Sequence, residues 1–481
     1  MKSLPFLPPT SLLAGLLSGA VLLFSSPPVT AQIMDVNGAT AGFGNYTNTP
    51  NYVWDSGTTD IWTDSTAGTA ITGNWTALGG GASKTVTLNA TASGGFSTTT
   101  VIQLDDSFSV AGITKIGQPT LQLTSNATRT ITLSPGALIS SSTSGAYLTL
   151  TNNVTVSGSF EKTGAGILRM NGAFTGNITV TAGQLDFQRV SGSSIQNSAG
   201  TSINLASGTT FSLLGNGLAA DAFKVANLYG SGNVTFDSGS NQDLIINQSS
   251  DQTLSGRISS GPATGSLTKN GSATLTLTGN NTYIKPTIVS AGTLLINGDQ
   301  SAATGNVTVS ALATLGGNGT IGGAIAIANT GILSPGTSGD ATTTLTLASK
   351  NLTISGIDSE IRLNITGTAA GEFDRIAGIA AFAQGGDITF TLSGTYSALD
   401  SWNVFAFSSE SGNFNTVTLA GSYNGTLTRD GSIWTNTNIG GQSWKFDETL
   451  GTLSVVPEPA TWALLAAGLT TVMVLRRRRR S

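Results

Sequence analysis

The chain has 481 residues, a formal net charge of −4 and only 10% charged residues, and it contains no cysteine and no histidine. Without cysteine there is no disulfide framework and no thiolate chemistry, and without histidine there is no Ser-His-Asp triad and little scope for a zinc site. Only carboxylates, lysine, tyrosine, serine or threonine remain as candidates for chemistry. Abundant threonine and branched aliphatic residues, together with 62 glycines, favour an all-β fold of short strands and tight turns.

The first residues predict export. Lys2 precedes a leucine-rich run over residues 12–24, and small residues follow up to Ala31. A basic residue, an apolar run and a small-residue cleavage site define a secretory signal peptide. We therefore predict a signal peptide over residues 1–31, cleaved after Ala31 once the Sec translocon has exported the chain.

Residues 32–120 form an aromatic block of short alternating runs, which are typical of strands with one buried face. Three of the seven tryptophans lie here: Trp54, Trp62 and Trp75. The block also contains the carboxylate pair Asp105-Asp106. We interpret this pair as a solvated turn after a strand, with a metal or acid–base site as the alternative.

Two later stretches, residues 158–172 and 265–279, match almost residue for residue. Each has a Lys-x-Gly turn, an alternating strand, and then an Ala-Gly pair before a second strand. This unit resembles the autotransporter-associated β-strand repeat, most clearly over residues 158–187 and 265–296. The resemblance implies a right-handed parallel β-helix. Lys162 and Lys269 recur in the turn, and we interpret them as solubilising residues.

A fixed spacing of apolar residues independently predicts a solenoid. Val309, Ile327, Leu345 and Leu363 are each eighteen residues apart, and each lies in an alternating run. Apolar residues that recur once per coil stack into a ladder inside a solenoid. The prediction is a β-solenoid over residues 121–395. The same spacing also suits a left-handed hexapeptide helix, so the spacing leaves the handedness open.

Residues 396–455 form a second tryptophan-rich β segment, with Trp402, Trp434 and Trp444. A solenoid has two open ends that must be covered. We therefore predict that this segment and the block at 32–120 are β-rich caps, so that deleting residues 32–120 should cause aggregation.

The segment 456–481 has the layout of a sorting signal. The tripeptide Pro457, Glu458 and Pro459 precedes an uncharged run over residues 460–475. The five residues that follow the run are Arg476, Arg477, Arg478, Arg479 and Arg480. The run is short for a membrane helix, since about 20 residues are typical and about 17 suffice. Arginines beside a span stay on the cytoplasmic side.

This tail resembles the PEP-CTERM signal of Gram-negative bacteria. The resemblance implies processing by an exosortase-like enzyme, a transient stay in the inner membrane through a short C-terminal transmembrane helix, and delivery to the cell surface or the extracellular space. The alternative is an ordinary C-terminal anchor that keeps the protein in the periplasm.

The part of the chain between the two signals is acidic. The two signals contain six of the 21 basic residues, namely Lys2 and the five arginines, and one of the 25 acidic residues, Glu458. The rest of the chain has 15 basic and 24 acidic residues and a net charge near −9. A segment with this net charge lacks the excess of positive charge with which proteins bind nucleic acid.

Four groups of charged residues are candidates for catalytic or metal sites, because polysaccharide-acting β-helix enzymes need converging acids, often with calcium, and a basic residue nearby. The groups are Glu161/Lys162, Asp237/Asp243/Asp251, Asp358/Glu360/Arg362 and Glu372/Asp374/Arg375. An eighteen-residue coil would put Asp358 and Asp374 on adjacent coils. None of these spacings is specific, so we expect solvated turn residues, no catalytic residue, no metal and no cofactor.

The expected function is that of a structural or adhesive surface protein, associated with exopolysaccharide or a biofilm, which binds through repeated shallow polar faces. The alternative is a β-helix polysaccharide lyase or hydrolase. Triplets such as Asn126-Ala-Thr and Asn233-Val-Thr fit asparagine in turns and threonine on strand faces, with glycosylation as the alternative.

Overall fold

The computed structural model describes five short strands between residues 32 and 104, and then residues 107–457 apart from 117–119, 189–197, 216–220, 238–241, 262–265 and 337–342. This part of the chain is all-β and contains no helix. Among its residues there is accordingly no helix long and apolar enough to cross a membrane. The predicted signal peptide with Ala31, the pair Asp105-Asp106, and the tail from Glu458 through the five arginines lie outside the described residues.

The strands of the first third are β1 (Gln32–Asp35), β2 (Asn51–Trp54), β3 (Trp62–Thr63), β4 (Thr85–Asn89), β5 (Thr100–Leu104), β6 (Phe108–Ile116), β7 (Leu121–Thr124), β8 (Arg129–Ser141), β9 (Tyr147–Leu150), β10 (Val154–Ser157), β11 (Phe160–Thr163), β12 (Ile167–Met170), β13 (Phe174–Thr175), β14 (Ile178–Val180) and β15 (Gln184–Gln188). Those of the middle are β16 (Ser198–Leu205), β17 (Thr210–Leu214), β18 (Asp221–Gly230), β19 (Asn233–Phe236), β20 (Gln242–Asn247), β21 (Gln252–Leu254), β22 (Ile258–Ser260), β23 (Leu267–Asn270), β24 (Thr274–Leu277), β25 (Thr287–Val289), β26 (Thr293–Ile296), β27 (Asp299–Gln300), β28 (Val307–Val309), β29 (Thr314–Gly317) and β30 (Thr320–Ile321). The last are β31 (Ile325–Ile327), β32 (Ile332–Pro335), β33 (Thr344–Ile354), β34 (Glu360–Ile365), β35 (Arg375–Gln384), β36 (Asp387–Leu392), β37 (Ser401–Asn403), β38 (Phe405–Gly412), β39 (Thr416–Gly421), β40 (Gly425–Thr426), β41 (Thr428–Asp430), β42 (Ile433–Ile439), β43 (Gln442–Asp447) and β44 (Thr452–Val456).

Three ladders of parallel strands form the faces of a β-solenoid. Face 1 contains β20, β23, β25, β28 and β31 and continues in the second halves of β33, β35 and β38. Face 2 contains β11, β14 and β16, then the second half of β18, then β21, β24, β26, β29, β32, β34, β36 and β39. Face 3 begins with β2, β5, β7, β9, β12, β15, β17, β19 and β22. The predicted solenoid is confirmed, while its right-handed winding stays a prediction.

The core is a stack of aliphatic side chains, one layer per coil, because alternate residues of a strand point to opposite sides. On face 2 the inward row is fully buried and runs through Leu275, Leu294, Leu315, Leu333, Ile361, Ile388 and Val417. Each member lies opposite the next in register. Burying each such side chain stabilises the fold by roughly 1.5–3 kcal/mol, so the row holds consecutive coils together.

The eighteen-residue spacing is confirmed over a single coil. Val309 lies opposite Ile327, as predicted. The continuation to Leu345 and Leu363 is wrong: Ile327 lies opposite Ile354 of β33 on face 1. The cause is a longer connection between β32 and β33 than between β29 and β30, which places Leu345 on the third face.

A five-stranded antiparallel sheet follows the last coil, in the order β37-β44-β43-β42-β41. Trp402 and Trp444 of this sheet are fully buried and stacked, with ring centroids 6.1 Å apart. Phe446 packs against Phe390 of the solenoid, with centroids 5.3 Å apart. At the other end, β2, β5 and β7 pair in parallel and extend face 3. The capping roles and the domain boundaries given above stay predictions.

We predict that Leu315→Ala lowers the free energy of unfolding by about 2–5 kcal/mol, because it opens a cavity in the inward row. The neighbouring Thr314→Ala changes only an outward side chain and should cost about 0.5 kcal/mol or less beyond its strand propensity. Urea unfolding followed by circular dichroism measures both variants. Equal losses would contradict the inward and outward assignment of β29.

Candidate functional site

The lysine of the first repeat is buried at a corner of the solenoid. Lys162 lies on β11, and none of its surface is exposed. Its Nζ donates to the carbonyl oxygens of Thr163 at 2.9 Å, Gly164 at 2.8 Å and Ala182 at 2.9 Å. Since an ammonium group has three donors, this corner uses all of them. Two of the acceptors belong to the lysine's own turn and the third to the next coil.

The second repeat has the same arrangement. Lys269 on β23 is also fully buried. Its Nζ donates to Asn270 at 3.0 Å, Gly271 at 2.8 Å and Ala291 at 2.9 Å. The interpretation of Lys162 and Lys269 as solubilising turn residues is therefore wrong. Each side chain starts on the inward side of its strand, and its length carries the ammonium group to the corner where the carbonyl oxygens meet.

The glycine of each Lys-x-Gly turn permits this geometry. Gly164 and Gly271 have φ values of 72° and 78°, which lie in the left-handed region that favours glycine. A Cβ at Gly164 would collide with the carbonyl oxygen of Ser141 on the preceding coil, and one at Gly271 would collide with that of Gln248. The turn thus needs glycine both for its backbone conformation and for the close approach of the next coil.

The two lysine corners occupy different positions around the solenoid. Lys162 lies on face 2, opposite Val180, while Lys269 lies on face 1, opposite Val289. The lysine of each repeat therefore links two consecutive coils, and this link is not confined to one face.

Burial lowers the pKa of Lys162 from its usual 10.5 to about 8. The pKa of Lys269 is also lowered to about 8 by burial, although the charge of Asp251 acts in the opposite direction. Between pH 8 and pH 10.5 the folded chain then binds fewer protons than the unfolded chain. The free energy of unfolding contributed by each lysine therefore rises with pH over this interval and falls as the pH is lowered through 8.

We predict that Lys162→Met lowers the free energy of unfolding at pH 7 by about 2–5 kcal/mol, because methionine fills the space but leaves three carbonyl oxygens without their donor. The deficit should widen between pH 8 and pH 10, where the wild-type lysine loses its charge penalty. The control is Lys445→Met, which removes an ion pair between a lysine side chain that is 37% exposed and Asp447 and should cost at most about 1 kcal/mol. A deficit that narrows with rising pH would contradict the lowered pKa of Lys162.

A groove crosses the coils on the outer side of face 2, with a volume of about 520 Å³. We call it the face 2 groove. One row of its lining lies in register across four strands: Thr274, Thr293, Thr314 and Ile332. The parallel row, two residues further along each strand, consists of Thr276, Leu295, Gly316 and Ser334.

Gly316 is buried between Leu295 and Ser334, where the backbone of the next strand approaches closely. A Cβ at this position would collide with the carbonyl oxygen of Ser334. The side chain of Leu295 points outward on β26 and is nevertheless only 7% exposed. The lining thus combines the apolar side chains of Leu295 and Ile332 with hydroxyl groups of threonine and serine.

Charged groups lie towards the two ends of the groove. Asp251 lies at one end, where its Oδ1 accepts the backbone N–H of Thr274 at 2.7 Å. At the other end Arg362 pairs with Glu360, with 2.7 Å between Nη2 and Oε2. The other oxygen of Glu360 accepts the hydroxyl of Thr389 at 2.8 Å. Each carboxylate is already engaged by its neighbours.

The other acidic candidates also join neighbouring segments and do not converge. Glu161 accepts the hydroxyl of Thr181 at 2.7 Å, and Asp243 accepts the backbone N–H and hydroxyl of Ser266 at 2.6 and 2.8 Å. Asp237 is exposed. Among the described residues no three acidic side chains are grouped to hold a metal ion.

Asp358 and Asp374 lie on either side of β34 in one coil, and the prediction that they occupy adjacent coils is wrong because this coil is longer than eighteen residues. Asp374 is fully buried and accepts the N–H groups of Thr343 at 2.9 Å and Asn364 at 2.8 Å. Burial raises the pKa of Asp374 to about 6. Asp358 accepts the amide of Asn329 at 3.1 Å.

The remaining candidates have local roles. Glu372 accepts the backbone N–H of Ala369 at 2.9 Å, and Arg375 begins β35. Asn126 lies in an exposed turn. Asn233 is the first residue of β19, not a turn residue, and its side chain accepts the N–H of Arg257 at 3.0 Å.

Comparison with known proteins identifies the repeats. Residues 160–186 and 267–296 match the Passenger-associated-transport-repeat (PATR) family. These two stretches contain the two lysine corners. The chain therefore contains repeats of the autotransporter-associated type, as the sequence predicted.

Two curated proteins are similar over part of the chain. Over 110 residues it is 46% identical to the "Adhesin BmaC autotransporter" of Brucella suis biovar 1 (strain 1330), which covers 23% of this chain and 3% of that protein. Over 128 residues it is 35% identical to the "Extracellular serine protease" of Serratia marcescens, which covers 27% of this chain and 11% of that protein. The chain thus spans only a small fraction of either relative.

Proposed function

We propose that the chain is an exported structural or adhesive protein that presents its solenoid at the cell surface or in the extracellular matrix. The observation that carries this proposal is the pair of PATR repeats, whose buried lysine corners link coils of a solenoid that carries rows of outward threonines. The similarity to a segment of an adhesin supports the same function. Such rows bind weakly at each coil and gain strength from repetition.

Export and sorting form the second part of the proposal. The signal peptide over residues 1–31 directs the chain to the Sec translocon. The tail, with Pro457, Glu458 and Pro459, is a PEP-CTERM signal that an exosortase-like enzyme processes at the inner membrane of a Gram-negative bacterium. The apolar run at 460–475 spans the membrane transiently, and the arginines hold its end in the cytoplasm. The mature protein then associates with exopolysaccharide or a biofilm.

The proposed function is not enzymatic. The sequence contains no histidine, so a Ser-His-Asp triad cannot be assembled from its residues. Glu161, Asp243 and Asp374 are engaged in hydrogen bonds that join segments of the solenoid. A polysaccharide lyase or hydrolase, the alternative from the sequence, needs acids that converge on a substrate.

We predict that the chain, expressed in a Gram-negative host with an exosortase, reaches the outside without Arg476 to Arg480. Cell fractionation followed by mass spectrometry of the C-terminal peptide measures both location and processing. A variant with Pro457→Ala and Pro459→Ala, which keeps the apolar run and the arginines, should remain in the inner membrane with its arginines intact. Wild-type protein that also stays there with an intact end would contradict the sorting proposal and favour a permanent anchor.

A further inference from the structure

We propose that the face 2 groove binds a neutral polysaccharide chain that lies along the solenoid axis. This inference rests on the proposed display of the chain outside the cell and names the ligand that the displayed face takes up. Its basis is the shape, the lining and the charge of the groove.

The groove is long in the direction of the axis. It crosses the coils from Asp251, which immediately precedes β21, to Thr391 of β36. Between these limits lie β24, β26, β29, β32 and β34 on the same face. At about 4.8 Å per strand the groove extends roughly 30 Å. A linear ligand that repeats at a similar distance can therefore meet equivalent groups on successive coils. An extended chain of pyranose rings advances by about one strand spacing per sugar.

The lining suits a sugar ring. Leu295 and Ile332 provide apolar surface, and Thr293, Thr314 and Ser334 provide hydroxyl groups in the same two registered rows. A pyranose has apolar C–H faces and hydroxyl groups at its edge, and a protein hydroxyl can both donate to and accept from such groups. Pockets that combine apolar surface with a few placed polar groups are typical ligand sites.

The charge of the groove selects a neutral ligand. The lining contains one acidic side chain, Asp251, and one basic side chain, Arg362, which pairs with Glu360 beside the groove. Arg362 and Glu360 are neutral as a pair, so Asp251 gives the opposite end a negative charge, in a chain that is itself acidic. An acidic polysaccharide would be repelled at the end formed by Asp251, while a neutral glucan is not affected by this charge.

The test is calorimetric titration of the purified full-length chain with neutral hexasaccharides of β-1,4- and β-1,3-linked glucose, and with polygalacturonate as an acidic comparator. The groove variant is Thr293→Val with Thr314→Val, which removes two hydroxyls at constant shape and keeps β-branched residues in the strands. We expect about tenfold weaker binding of the neutral glycan by this variant. The matched control is Thr308→Val on β28, an exposed threonine of face 1, and it should bind as the wild type does.

Three results would overturn the inference: no binding of either neutral hexasaccharide by the wild type, unchanged binding by the groove variant, or tighter binding of polygalacturonate that Arg362→Gln abolishes. Circular dichroism and thermal unfolding establish that each variant is folded.

Localisation separates this inference from the proposed function. A chain that is displayed outside the cell but binds neither hexasaccharide removes the glycan site and leaves the display proposal standing. A chain that binds the glycan but remains in the inner membrane contradicts the display proposal and leaves the glycan site standing.

Discussion

The bond between a buried lysine ammonium group and three turn carbonyl oxygens is the interaction on which the repeats depend. In a stack of parallel coils the strand ladders satisfy the backbone groups within each face, but a sharp corner turns carbonyl oxygens away from the ladder. A buried carbonyl without a donor costs about 1–3 kcal/mol. Lys162 supplies donors to two turn oxygens and to Ala182 of the following coil. A charge that is costly to bury thereby becomes a link between coils.

The faces of the solenoid follow from the register of the strand ladders. Successive strands of face 2 lie in register, and the inward row of leucines stacks without a gap. The same register aligns the outward positions, so that Thr274, Thr293 and Thr314 form one row although they are far apart in sequence. The face 2 groove is therefore a product of the register. No single coil contains it.

The sequence predicted the architecture better than the roles of its charged residues. Alternating runs and the paired Lys-x-Gly turns were enough to predict a solenoid of autotransporter-type repeats. The spacing of Val309 and Ile327 was a true coil length, whereas its continuation to Leu345 failed because an insertion at one corner changes the coil length without changing the local alternation. Lysine is almost never buried unless it is paired, so the sequence alone favours an exposed Lys162. Its partners are backbone carbonyl oxygens, and the sequence does not show which of them the fold brings close to the lysine.

The groove could not be predicted for a related reason. Its residues are ordinary outward threonines, and which of them lie side by side depends on the exact length of every coil between them.

Reactivity of the lysines in the folded chain tests the buried corners most directly. Under brief acetylation followed by mass spectrometry, Lys162 and Lys269 should remain unmodified while Lys445, whose side chain is 37% exposed, reacts. Modification of Lys162 and Lys269 at the rate of Lys445 in the folded chain would contradict the buried corners.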